Sequence, residues 1–170
     1  MSHNDKTNEV PYVITRTFDA PRKLVFKAFT ESEHLQHWWG PKGWTLEISE
    51  FDFRPGGAFH YSQRSADGQK MWGKFVYREI GEPEKLIYTS SFSDEAGNTV
   101  RAPFSQTWPL EILNTLTFTE QEDKTILTMH MAPLSATEEE RKTFEAMRPQ
   151  VQQGFAGTLD QLAAYLSKAN

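Results

Sequence analysis

The chain has 170 residues with 23 acidic against 18 Lys and Arg side chains, a formal net charge of −5 and a pI near 5.6. No basic excess and no run of Lys or Arg interleaved with aromatics is present, which excludes the usual phosphate-backbone partner, so no nucleic-acid partner is expected. The absence of cysteine excludes disulfides, thiolate nucleophiles and Cys-ligated metal sites. A content of 38% hydrophobic and 24% charged residues is that of one ordinary globular domain. The 12 Phe, 5 Trp and 5 Tyr must pack in a core or line something.

Residues 1–10 are polar and lack the apolar stretch of a signal peptide, and no later run reaches the about 18 apolar residues of a membrane span. The reading is a flexible tail over residues 1–10 and a single domain over residues 11–168, cytoplasmic and without membrane insertion. Tyr12 to Phe18 alternates apolar and polar residues and predicts a half-buried first strand. Asp19, Ala20 and Pro21 predict a helix start, with Leu24, Val25, Ala28 and Phe29 at helical spacing. Glu31 to Trp39 predicts a second short helix, stopped by Gly40 and Pro41.

From Trp44 the period changes to two. Trp44, Leu46 and Ile48 alternate with polar residues, and Phe51 and Phe53 continue out of phase, which predicts a bulge. Arg54, Pro55, Gly56 and Gly57 predict a tight turn into a strand through Tyr61. Turns at Ala66–Gly68 and Gly81–Pro83 bound strands over Met71–Ile80 and Leu86–Phe92. Ser93 to Pro109 is longer than a hairpin requires and is a candidate functional loop. Ile112–Phe118 and Thr125–Met131 form a last hairpin around Gln121–Asp123.

Thr137 opens TEEE, a helix-capping pattern, and predicts the start of a long helix that kinks or restarts at Pro149. Val151, Phe155, Leu159, Leu162 and Leu166 share one helix face, which predicts that this face meets the core. Gly154 and Gly157 make two slim turns, expected to leave space beneath. One helix covers one sheet face only, so the sheet is expected to be antiparallel with an exposed back. The predicted fold is α+β: a curved antiparallel sheet of about seven strands wrapped around a long C-terminal helix, with two short helices after the first strand.

Four blocks carry a resemblance: FDAPRKLVFKAFTESEHLQHWWGPKGW (Phe18–Trp44), FDFRPGGAFHY (Phe51–Tyr61), GKFVYREIGEPEKLIYT (Gly73–Thr89) and LDQLAAYL (Leu159–Leu166). Together they resemble the activator of heat-shock protein 90 ATPase-like family of the START-like, or SRPBCC, superfamily, over about Tyr12 to Leu166. The resemblance implies a helix-grip fold whose cavity binds hydrophobic ligands in many relatives. Eukaryotic co-chaperones of this kind carry a further N-terminal domain that engages the chaperone. Here about ten residues precede the match, so a chaperone partner is the least expected role.

Trp38, Trp39 and Trp44 converge on the turn at Gly40, Pro41 and Gly43 and form either a cavity mouth or an aromatic hinge. Phe59, Tyr61, Phe75, Tyr77, Tyr88 and Phe92 share strand phases that set them opposite Phe155 and Leu159, as cavity wall or as solid core. The ligand-binding set is accordingly Trp38, Trp39, Trp44, Phe59, Tyr61, Phe75, Tyr88, Phe92, Phe155 and Leu159. His34 and His37 have a metal-compatible spacing but no third ligand, and are read as surface residues; His60 and His130 are isolated on strands. No GxSxG, Walker or GxGxxG motif is present, and no metal or cofactor is expected. Asp52, Glu111 and His130 are general acid or base candidates only if they face the cavity. Arg54 with its glycines reads as a turn rather than an anion cradle. The favoured function is noncatalytic binding of a small hydrophobic molecule (lipid, polyketide or flavonoid-like); the alternatives are a cyclase or hydrolase, then a co-chaperone.

Overall fold

A computed structural model of the chain describes residues 12–169; the tail expected over residues 1–10 lies outside them. The elements are β1 (Tyr12–Phe18), α1 (Arg22–Thr30), α2 (Ser32–Trp38), β2 (Thr45–Phe51), β3 (Ala58–Arg64), β4 (Lys70–Gly81) and β5 (Lys85–Ser93). There follow β6 (Thr99–Val100), β7 (Ile112–Gln121), β8 (Lys124–Pro133), α3 (Glu138–Ala146) and α4 (Arg148–Ala169). All strands form one eight-stranded sheet of order β1-β8-β7-β5-β4-β3-β2, with β6 on β5 beyond the end of β7. Every pairing is antiparallel. The α+β helix-grip architecture read from the sequence is therefore the observed one, and the extra strand comes from the long loop after Ser93.

Two register shifts bend the sheet. One lies between Ile48 and Glu50, where the hydrophobic phase slips, and the second between Tyr77 and Glu79 in β4. Each gives its strand a residue without a direct partner, which raises local twist and curls the sheet around the helix. At the Arg54–Gly57 turn the Gly57 amide donates to Arg54 O at 2.8 Å. A Cβ on Gly57 would lie 2.1 Å from Asp52 O, so only glycine fits.

The C-terminal segment restarts next to Pro149, as its sequence predicts. Thr137 Oγ1 accepts from the Glu140 amide at 3.1 Å, and Glu140 Oε1 accepts from the Thr137 amide at 3.0 Å, but this capping box opens a separate nine-residue helix, α3. Met147 closes α3, and the 22-residue α4 starts at Arg148 with Pro149 in its first turn, where proline's missing N–H leaves no helical bond unmade.

Leu159, Leu162 and Leu166 of α4 are each no more than 3% exposed and join Phe26, Phe29 and Phe118 in the main core. Polar contacts hold the same helix at its flanks. Arg16 donates to Asp160 at 2.6 Å from β1, and Gln161 and Thr158 donate to Gly40 O at 2.6 and 3.2 Å. Gly154 and Gly157 lie on the opposite, exposed side, and a Cβ on either meets nothing within 4 Å. They do not make room under the helix, contrary to the expectation from their spacing.

That placement makes both glycines a conformational liability only. Gly154→Ala and Gly157→Ala are each expected to raise the unfolding free energy by about 0.5–1 kcal/mol. The check is a higher urea midpoint at unchanged slope; a lower midpoint at either position would mean that the added methyl meets a neighbour.

Candidate functional site

The buried apolar side chains form two clusters rather than one. The larger packs α1, α2 and the C-terminal part of α4 on the sheet; the smaller gathers Tyr12, Trp108, Ile112, Met131 and Phe144. Phe155 packs against both. Between them lies a hollow of about 190 Å³, roofed by Val151 and Phe155 of α4 and floored by the inner faces of β3, β4, β5, β7 and β8. Trp39, Met71, Val151 and Phe155 at its margin are only half-buried.

Trp39, Tyr61, Phe75, Tyr88, Phe92 and Phe155, from the set read in the sequence, line this hollow. Trp39 sits edge-on to Phe75 at 5.4 Å and 6.2 Å from Phe155, bridging helix and sheet. Phe75 stacks on Tyr88 at 4.2 Å. The remaining members lie elsewhere. Trp38 faces inward from the last turn of α2, donating from Nε1 to Ala28 O at 3.0 Å and packing on Phe29, so it is core. Trp39 is the residue after the helix, where extended backbone turns its indole the other way. Phe59 is fully buried between Phe51 and Phe75, and Leu159 lies one turn past Phe155 in the filled half. Trp44, half-buried ahead of β2, is outside the lining.

One end of the hollow is closed by residues without a periodic signature in the sequence. The segment between β6 and β7 brings Trp108 to 5.4 Å from Phe144, and Phe144 stacks on Tyr12 at 3.9 Å. Arg101 fixes this segment to α3 by donating to Glu140 Oε2 at 2.5 Å and to Trp108 O at 3.1 Å, and Thr107 bonds Thr143 at 2.7 Å. The Arg101 hydrogen bond, joined by that of the Thr137 amide, holds the Glu140 carboxyl below its usual range. The candidate functional loop thus serves as an end wall.

Residues 19–167 match the family described as Activator of Hsp90 ATPase homolog 1-like protein. The chain belongs to this family. The fold of a Mycobacterium smegmatis protein, 27% identical, superposes with a TM-score of 0.74 over 91% of this chain and 88% of that one. An Arthrobacter aurescens protein, 26% identical, gives 0.78 over 94% and 87%. The AHSA1 protein of Silicibacter pomeroyi, 17% identical, shares the fold with a TM-score of 0.72 over 93% and 98% of the two chains. Comparison with curated proteins finds no match.

The acid–base candidates read from the sequence lie outside the lining of the hollow. Asp52 is held by Arg54 at 2.9 Å in the β2–β3 turn, His130 is exposed on the outer face, and Glu111 is outside the lining. His60 is buried beneath the β5–β6 turn, stacked on Trp72 and 3.1 Å from Asp94 O. His34 bonds the Tyr165 hydroxyl at 2.5 Å and Glu31 at 3.2 Å, and His37 stacks on Tyr165, so both histidines tie α2 to α4. Among the described residues the ionisable lining side chains are Tyr12, Tyr61 and Tyr88.

Burial keeps these phenols neutral. Desolvation pushes Tyr12 up to about 12, against the pull of Arg148, and pushes Tyr61 up to about 12, opposed by a hydrogen bond from Trp39. Tyr88 and Tyr77 are raised further by burial, and Tyr165 is raised as well, so all 5 tyrosines of the chain are affected. The folded state therefore holds phenolic protons that the unfolded chain loses near pH 10. Stability is fully present below that pH and is lost as pH rises toward 12. Spectrophotometric titration of the folded protein at pH 10 should show no more phenolate than Tyr165 alone can supply, followed by a larger rise that coincides with loss of near-ultraviolet circular dichroism. A gradual half-ionisation centred on pH 10 in the folded protein would contradict these burials.

Proposed function

We propose that this member of the family binds a small hydrophobic or aromatic molecule in the hollow between α4 and the sheet. The observation that carries the reading is the aromatic-walled gap between two hydrophobic clusters, in a helix-grip fold of the START-like kind. A solid core would have closed it, because protein interiors pack as densely as organic crystals.

Size narrows the ligand. An apolar cavity of about 150 Å³ takes up benzene, and pockets for drug-sized molecules run from roughly 300 to 1,000 Å³. At about 190 Å³ the hollow suits a compact one- or two-ring compound. A long-chain lipid or a three-ring flavonoid requires it to widen, with the half-buried Trp39, Met71 and Val151 at the margin free to yield. A cyclase or hydrolase reading has less support, since Asp52, Glu111 and His130 do not reach the hollow. A chaperone partner is supported by the family's description alone.

Ligand at about 100 times its Kd should stabilise the fold by about 2.7 kcal/mol, read as a higher Tm. Val151→Trp fills the hollow from its roof and is expected to abolish that rise while leaving the unliganded Tm close to wild type. An unchanged ligand response in the filled variant would place binding elsewhere and sink the reading.

A further inference from the structure

Besides Gln63 of β3 and the tyrosine hydroxyls, the polar side chains of the lining lie on β5 and β7: Ser90, Ser91 and Asn114. Asn114 stands on the inward face of β7 between Ile112 and Leu116, and is only 3% exposed. Its Nδ2 donates to Ile112 O at 3.1 Å, Ser90 Oγ at 3.0 Å and Tyr88 O at 3.3 Å. Two of these acceptors are backbone carbonyls, which cannot donate, so the amide nitrogen is fixed on that side and Oδ1 on the other. Every hydrogen bond of this side chain runs through Nδ2, which leaves Oδ1 with no protein donor while the residue lines the hollow.

Ser90 lies two residues along β5 from Tyr88, and Tyr88 is the direct register partner of Asn114. The Ser90 oxygen already accepts from Asn114, so its own O–H is free to donate. The Tyr88 hydroxyl is held in its neutral form by burial and can donate or accept. The open acceptor of Asn114 and the free O–H of Ser90 therefore stand together, joined through Asn114 Nδ2, on this part of the wall. A hydroxyl group, which both donates and accepts, complements the pair. A carboxylate does not: it only accepts, it meets Asn114 Oδ1 acceptor to acceptor, and no Lys, Arg or His is among the lining residues to offset its charge.

We infer that the hollow selects neutral one- or two-ring compounds bearing a hydroxyl, of the phenol type, read by Asn114 Oδ1 and Ser90, and rejects the corresponding carboxylates. This rests on the hollow being the binding site, and deepens that reading by naming the polar end of the ligand.

Three probes of one shape separate the possibilities: naphthalene, 2-naphthol and 2-naphthoate at pH 7, with affinity from calorimetry and location from the methyl resonances of Ile112 and Met131. The hydroxyl should improve affinity over naphthalene by about three- to tenfold for each hydrogen bond formed, and the carboxylate should bind more weakly than naphthalene. Asn114→Leu is expected to reduce 2-naphthol to the level of naphthalene while naphthalene itself is unaffected. Because Asn114 also ties β7 to β5, Ser90→Ala, which removes one hydroxyl only, serves as the second variant and should lower the preference for 2-naphthol. Equal affinity of naphthalene and 2-naphthol, or a preference for 2-naphthoate, overturns the inference and leaves the binding site standing. Absence of any shift at Ile112 and Met131 with all three probes overturns both.

Discussion

The architecture depends on one packing constraint: α4 is the one long helix among the described residues, and it has to span the concave face of an eight-stranded sheet with only short elements to fill in beside it. Its leucine half succeeds, because Leu159, Leu162 and Leu166 meet aromatic side chains brought up by α1, α2 and β7. Its first half has no comparable support. There Val151 and Phe155 stand off the sheet, and a second cluster, assembled from β1, β7, β8, α3 and the segment after β6, closes the far end. The hollow is the gap between two separately satisfied cores. Polar anchors fix how wide it stays, since Gly40 O receives both Gln161 and Thr158 and holds the middle of α4 to the Trp38–Gly40 corner.

The chemistry of the hollow follows from the alternation of the strands. Inward positions are large and apolar, so charge is carried outward, and the phenols that remain inside are neutral well above physiological pH. A wall of this kind supplies dispersion and hydrophobic contact from many aromatic faces and direction from few polar atoms, which is the usual division of labour in a small-molecule site. Asn114 is the principal exception to the apolar rule on β7, and its hydrogen-bonding arrangement makes it a fixed acceptor.

Most of the frame was legible because it is written in periodicity. The two-residue alternation located every long strand, the slip between Ile48 and Phe51 located a bulge, and the blocks resembling the family supplied the topology that alternation leaves open. Lining residues were legible on the strands for Tyr61, Phe75, Tyr88 and Phe92, although Phe59 and Tyr77, read in the same phases, pack in the filled core. Trp38 and Trp39 show where it failed: they straddle a helix end, and a difference of one residue in its position exchanges core for cavity. Trp108 and Phe144 reach the hollow through a loop and a separate helix, for which no register exists to read. Asn114 did leave a signal, a polar residue in the apolar phase of Ile112, Leu116 and Phe118. Gly154 and Gly157 misled because spacing reports that a turn is slim but not which way it faces.

The methionines offer the most direct test that a ligand enters between the two cores. Met131 and Met71 line the hollow, whereas Met129, two residues from Met131 on β8, is wholly buried in the filled core. In a titration with a one- or two-ring aromatic followed by methionine methyl resonances, those of Met71 and Met131 should shift together and saturably while that of Met129 holds. Saturable binding that leaves Met71 and Met131 unmoved, or that moves Met129 as far as its neighbour, would contradict the account.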